Sequence, residues 1–350
     1  MYRRHSVELV ALVIGIAACE RRSTPRSDVS PSSTVALSSS RPTDGEPVAS
    51  ADVPVEAPSL AGPDAGEGEG NAGTTAALGC TEIGLPKAGR SIGHTSVVFK
   101  LELPNRKKAV FKPDARKVRG RYKGEIAAFR LARALGIDNV PTVCAHAFDA
   151  SVVASALAAN AEASKLFAAE AVVEQGRVYG AIIPWIDGLQ FWPLEKGSVR
   201  SEVRRWLAAG GEIPPTKAEL ARQASMLVTF DFLTGNWDRY SGGNVGLDKS
   251  GRNVLFIDND AAFVEPLPKG FATKSRATLD ATDRFSRSLV ERIRALDEER
   301  LTSVFGQEAP GRPLLSAGVV SLVARRAKDL TAVVDAKVRA HGETETLYFR

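Results

Sequence analysis

The chain has 350 residues, 44% hydrophobic and 25% charged, with a net charge of +5. This balance suits a globular protein with a core, and the absence of long Lys/Arg runs or a nucleic-acid module signature makes the positive surplus a solvated surface able to attract phosphate; no nucleic-acid partner is expected. The four histidines, His5, His94, His146 and His341, are scattered, and no H-E-x-x-H, G-x-S-x-G or Walker G-K-[ST] pattern occurs, which excludes zincin, hydrolase-elbow and P-loop chemistry.

Residues 1–19 read as an export signal: Arg3 and Arg4 form the charged region, residues 9–16 a short apolar run, and Ile16-Ala17-Ala18-Cys19 the end. An apolar run of roughly ten residues is too short to span a bilayer. The four-residue end resembles a bacterial lipobox, which implies lipidation at Cys19, contact with the membrane through that N-terminal lipid, and an exported, membrane-anchored lipoprotein on the periplasmic or cell-surface face. The alternative is an ordinary signal peptide with an incidental cysteine. Residues 20–79 are rich in Ser, Pro, Ala, Gly and acids and hold no Phe, Trp or Tyr. Such a stretch buries too little apolar area to offset its ordering entropy and is expected to be a disordered tether with a span of roughly 40 Å.

The globular part is expected over residues 80–345, a length at which chains often form two lobes around a cleft. Gly89 and Gly93 mark a glycine loop whose backbone amides could approach phosphate, although two glycines at this spacing also suit an ordinary hairpin turn. Strands are expected at residues 96–103 and 108–111, the second ending at Lys112-Pro113, where the ammonium could reach nucleotide phosphates. Residues 122–136 form a helix stopped at Gly136, with Glu125, Ala128, Phe129, Ala132 and Leu135 on its packed side. An acid there needs a cation, and Lys112 is the natural partner. A strand over 142–148, an Ala-rich helical insertion over 153–170 and a buried strand entering a Pro/Gly-marked linker over 177–188 follow. Trp185 is core or cleft wall. With Cys19 set aside, Cys80 and Cys144 either pair, as an exported chain would allow, or leave Cys144 a buried thiol.

Residues 229–263 carry the densest chemistry. An apolar helix over 224–235, with Gly235 as its positive-φ stop, leads into the loop Asn236-Trp237-Asp238-Arg239-Tyr240-Ser241-Gly242-Gly243-Asn244. Two short strands over 244–247 and 253–257, joined by the turn Asp248-Lys249-Ser250-Gly251, fold back so that Asp258 nears Asp238 and Asn244. One carboxylate to orient an acceptor hydroxyl, with an amide and a second carboxylate to hold divalent ions, is what phosphoryl transfer requires. Helices with no evident chemistry are expected over 284–305 and 314–340.

N-x-D-R-x-x-x-x-N followed by a hairpin and I-D resembles the catalytic and metal loops of atypical kinases: the HipA-like, phosphatidylinositol-kinase-like and CotH enzymes, and above all the Golgi casein kinase and four-jointed family of secretory-pathway kinases. F-K-P, then G-E-I-A-A-F-x-L-x-R-x-L-G and V-P, is similar to the N-terminal lobe of that last family. The chain departs from the family pattern at Tyr240, where those enzymes commonly carry His, and at Asn244, one residue farther from the Asp than in HipA-like chains. The resemblance implies an α+β, two-lobed protein-kinase-like fold, with an N-lobe at 80–183 and a C-lobe at 184–345. It implies an ATP-dependent phosphotransferase using Mg²⁺ or Mn²⁺: Lys112, Glu125 and the Gly89/Gly93 loop on the nucleotide, Asp238 as base, Asn244 and Asp258 on the metal, Asp260 as reserve ligand. The implied partners are the nucleotide and a protein Ser/Thr or glycan acceptor. A pseudokinase acting as a binding module, or a nucleotidyltransferase on the same fold, are the alternatives.

Overall fold

Short apolar runs separated by turn residues assemble into a five-stranded antiparallel sheet of β1 (Ala88–Ser91), β2 (Phe99–Glu102), β3 (Lys108–Pro113), β4 (Cys144–Asp149) and β5 (Arg177–Pro184), in the order β1-β2-β3-β5-β4. The computed structural model describes residue 80, residues 83–93 and residues 96–350. The expected export signal with Cys19 and the expected tether lie outside the described residues, as do His94 and Thr95 of the glycine loop.

The period-2 alternation of a strand sorts β3 into two faces. Phe111 joins Phe99, Phe148, Val178 and Ile182 in one apolar cluster, while Lys112, paired in register with Ala181, points to the other face. α1 (Tyr122–Ala134) packs on that second face, and its apolar side merges with the helical half of the molecule. The tip of α1 is tied down by Tyr122 Oη donating to Glu308 at 2.5 Å and by Lys123 pairing with the same carboxylate at 3.0 Å.

The Ala-rich insertion is two helices, α2 (Ala150–Leu157) and α3 (Ala161–Glu170), parted at Asn160, whose side chain caps α3 by accepting from Ala163 N at 2.8 Å. These helices cover the outer face of the sheet, where the rings of Phe99 and Phe167 meet edge to face at 6.0 Å. Cys80 and Cys144 are joined by a disulfide with 5.4 Å between Cα atoms, settling the choice the sequence left open.

The rest is mainly helical: α4 (Gly197–Leu207), α5 (Ala218–Thr234), α6 (Phe271–Asp280), α7 (Arg287–Arg294), α8 (Glu298–Phe305) and α9 (Ala317–His341). α5 is buried on nearly every side, and Gly235 takes φ 66° at its end, the left-handed turn a glycine C-cap supplies. A small sheet holds β6 (Gln190–Phe191), β7 (Val245–Leu247) and β8 (Val254–Phe256), the last two being the expected hairpin. β9 (Gln307–Ala309) and β10 (Arg312–Pro313) form a second hairpin. The 284–305 run divides into α7 and α8 at Asp297, which caps α8 by accepting from Arg300 N at 2.7 Å. The architecture is a two-lobed α+β fold, sheet-rich toward the N-terminus and helical toward the C-terminus. No helix among the described residues is long and apolar enough to cross a membrane.

Candidate active site

Lys112 Nζ lies 2.5 Å from Glu125 Oε1, 2.5 Å from Asp258 Oδ1 and 3.4 Å from Asp260 Oδ2. Three elements far apart in sequence thus meet on one ammonium. β3 supplies the lysine, α1 the glutamate, and the turn after β8 the two aspartates. The approach of α1 to that turn depends on Gly124, because a Cβ there would sit 2.7 Å from the carbonyl oxygen of Asn259. Glu125 is 1% exposed and also accepts from Asn259 N at 3.0 Å, so one carboxylate locks strand, helix and turn together. Asp258 adopts φ 56°, a left-handed conformation that Asp tolerates better than most residues and that aims its side chain back at Lys112.

Burial works against the Lys112 ammonium, but the carboxylates of Glu125, Asp258 and Asp260 outweigh it and raise its pKa. Burial also opposes the Asp258 carboxylate, yet Lys112, with Arg239 and Arg121 farther off, holds it below the usual range. Asp260 is pushed the other way, up to about 6, because burial and the neighbouring charges of Asp258 and Glu125 outweigh Lys112 and Arg121. Arg121, at the start of α1, reaches Asp260 Oδ1 at 2.8 Å and the Asp260 carbonyl at 3.2 Å.

The expected catalytic loop runs from α5 to β7. Asp238 N donates to Asn236 Oδ1 at 3.2 Å, and Asn244 Nδ2 donates to the Asp238 carbonyl at 2.7 Å, to Ser241 Oγ at 3.2 Å and to Asp238 Oδ2 at 3.5 Å. Asp238 is partly exposed and so open to an incoming hydroxyl. The loop is braced from below by Arg239, which is 1% exposed. Its Nε donates to both Asp231 oxygens at 3.0 Å, Nη1 to the carbonyls of Asn244 at 2.6 Å and Ile257 at 2.5 Å, and Nη2 to Asn259 Oδ1 at 2.6 Å. This guanidinium joins α5, the catalytic loop and the Asp258 turn, bringing the two halves of the site into one frame. Asn236 Nδ2 adds a 3.5 Å contact to the Asp258 carbonyl.

The structure therefore places Lys112, Glu125, Asp258 and Asp260 in direct contact, and ties the bonded pair Asp238 and Asn244 to them through the side chains of Arg239 and Asn236. Gly89 is a correction: it lies within β1, not in a loop, and a Cβ there would press on Leu101 and Leu157 at 2.7 Å, so its small size serves packing against β2 and α2. Gly93 does sit in the turn after β1, where a Cβ would meet the Ser96 carbonyl at 2.1 Å. Trp185 is half-buried and stands outside the two core clusters, with Lys100 Nζ 3.4 Å over its ring. Sequence reasoning missed Arg121 and gave Arg239 no role beyond the motif.

Glu125, Asp258 and Asp260 each offer a carboxylate oxygen, and these oxygens lie within 4.8 Å of one another. All-oxygen donors suit Mg²⁺ or Mn²⁺. Three carboxylates face two cations, Lys112 and Arg121, so the cluster, if fully ionised, carries a surplus negative charge that a divalent ion would balance.

These lobes and this cluster define a protein-kinase-like fold of the atypical kind. Among solved structures the chain is similar to the Golgi casein kinase with Mn/ADP bound, at TM-score 0.57 and 16% identity over 75% of this chain and 76% of that one. It is similar to hydra Fam20 with sugar at the same TM-score and identity, over 75% and 88% of the two chains. A second Golgi casein kinase structure gives TM-score 0.55 at 14% identity. No protein-family model matches the sequence, and no curated protein does. At such identities the likeness establishes the fold, and the site stands on its own geometry.

Proposed function

We propose that the chain is an ATP- and divalent-metal-dependent phosphotransferase that moves the γ-phosphate of ATP to a hydroxyl acceptor. The observation that carries this is the meeting of Lys112, Glu125 and Asp258 within hydrogen-bonding distance across 146 residues of sequence, beside a partly exposed Asp238 paired with Asn244. Supporting it, the structurally similar Golgi casein kinase is one with Mn/ADP bound.

Lys112, held by Glu125, would turn from Asp258 to the α/β-phosphates, exchanging one anion for another. Asp258, with Glu125 or Asp260 and with Asn244 from the facing loop, would hold the metal, whose role is to neutralise phosphate charge. Asp238 orients the acceptor hydroxyl and takes its proton. Arg239, buried beneath the loop with its donors on Asp231, Asn244, Ile257 and Asn259, would fix the distance between the Asp238 loop and the Asp258 turn. The protein is further proposed to be an exported lipoprotein anchored through Cys19. The Cys80–Cys144 disulfide supports export, since such bonds persist in oxidising compartments.

The test is the purified full chain with Mn²⁺ or Mg²⁺ and ATP labelled at the γ- or the α-phosphate, wild type beside Asp258→Ala. Label transferred from the γ position alone, and lost in the variant, is expected. Transfer from the α position would make the protein a nucleotidyltransferase, and nucleotide binding without transfer a pseudokinase.

A further inference from the structure

A concavity away from the Lys112 cluster has Asp238 in its lining. It is a cavity of about 500 Å³ between α4, α5, α6 and the catalytic loop, with Asp238 itself on its wall. Its sides are apolar, formed by Val203, Leu207, Leu227, Val228, Phe232 and Phe271. Trp237 closes the end nearest the loop, its ring meeting Phe271 edge to face at 5.4 Å. Three cations line the same cavity: Arg200, Arg204 and Lys274.

Among the described residues none of the three is paired with a carboxylate. Arg200 reaches only the carbonyls of Leu194 and Glu195, at 3.4 and 3.5 Å, and stands 5.5 Å from the Tyr240 ring. Lys274 Nζ is 5.2 Å from the Phe271 ring. Arg204 and Lys274 are exposed at the rim. The acids on the wall are Asp231, already engaged by Arg239, and Asp238. An apolar chamber of small-molecule size, rimmed by cations without acidic partners, is complementary to a ligand with an apolar body and an anionic group.

We propose that this cavity binds the acceptor, and that the acceptor is a small anionic amphiphile: an alcohol carrying a phosphate or carboxylate next to an acyl-like apolar body. The proposal rests on the phosphotransferase reading and replaces the protein or glycan acceptor that the sequence resemblance implies. The apolar body fills the space between α5 and α6, the anion meets Arg200, Arg204 and Lys274, and the hydroxyl lies at Asp238. In the transfer step the hydroxyl oxygen bonds to the γ-phosphorus as the bond from that phosphorus to the β,γ-bridging oxygen breaks. ADP leaves with that electron pair, and the hydroxyl proton passes to the Asp238 carboxylate and on to water. A half-enclosed chamber walled by three helices suits such a body better than an extended peptide, which needs an open groove.

The test uses the full chain and dodecanoyl lysophosphatidylglycerol held below its critical micelle concentration. The controls are the choline counterpart, with no headgroup hydroxyl and no net charge, and glycerophosphoglycerol, which lacks the chain. Saturable binding of the first ligand alone is expected, weakened roughly tenfold or more in Arg204→Gln/Lys274→Gln, since a charge-assisted contact is lost at each position. Label from γ-labelled ATP should then appear on its headgroup. Equal binding of the choline lipid, no binding, or unchanged affinity in the double variant would overturn the proposal. Selective binding with label passing only to water would overturn the acceptor assignment. Absence of any ATP turnover by the wild type would instead refute the phosphotransferase reading, with the binding arms still deciding for or against the cavity.

Discussion

Replacing Arg239 by methionine is the sharpest probe of how the two halves of the site are held together. The substitution keeps most of the stem volume and removes every donor to Asp231, Asn244, Ile257 and Asn259. Asp231 is 5% exposed, so the variant buries a carboxylate with no cation beside it. Removing one partner of a buried ion pair costs about 3–5 kcal/mol. The loss should depend on pH. Burial already pushes Asp231 from 3.8 up to about 6 against the pull of Arg239, and without that pull the folded-state value rises further. An acid whose folded pKa is raised destabilises fully above that value, and the penalty is relieved as pH falls toward the unfolded one. The difference between wild type and variant is therefore expected to be larger at about pH 8 than at about pH 5. Urea denaturation followed by tryptophan fluorescence at both pH values gives the measurement. Arg239→Met/Asp231→Leu, which removes both charges, should recover a large part of the loss. A loss under about 1 kcal/mol, equal at both pH values, would refute the reasoning, since that is the range of exposed ion pairs.

Asp238→Asn should leave metal–nucleotide binding unchanged and lower transfer by roughly 10²–10⁴-fold, the range for a lost general base, as measured by steady-state turnover beside nucleotide titration. Metal binding should weaken as pH falls below about 6, because the raised pKa of Asp260 means that below it a proton occupies a candidate ligand. Titration calorimetry in buffers of different ionisation enthalpy should show proton release on metal binding there, and little at pH well above it. Reducing the Cys80–Cys144 bond, which closes a separation of 64 residues, should cost about 4 kcal/mol by the chain-entropy relation, measured by denaturation with and without reductant.

The strands and the helix carrying Lys112 and Glu125 were legible because a lysine at the end of an apolar strand and an acid on the packed side of a helix each need a partner, and each is the other's only sensible one. The loop from Asn236 to Asn244 and the hairpin after it were legible from turn residues at fixed places. Gly89 was misplaced because strand packing and phosphate approach both select glycine, and only the contact with Leu157 separates them. The two-helix character of the insertion was hidden by its alanine-rich run, which Asn160 interrupts with a single cap. Arg121, and the part Arg239 plays, could not be read from the sequence, since their contacts lie as far as 139 and 20 residues away and follow from how α1 and the Asp258 turn approach each other. α4, which walls the second cavity, was left unread although Val199, Val203, Trp206 and Leu207 stand at helical spacing.

The most direct check of the central claim is a crystal structure of the full chain with Mn²⁺ and a non-hydrolysable ATP analogue. The account predicts an ion bound by Asp258 together with Glu125 or Asp260, Lys112 moved from Asp258 onto phosphate, and the terminal phosphate facing Asp238. A nucleotide bound elsewhere, or Lys112 still seated on Asp258 with no ion at the three carboxylates, would contradict it.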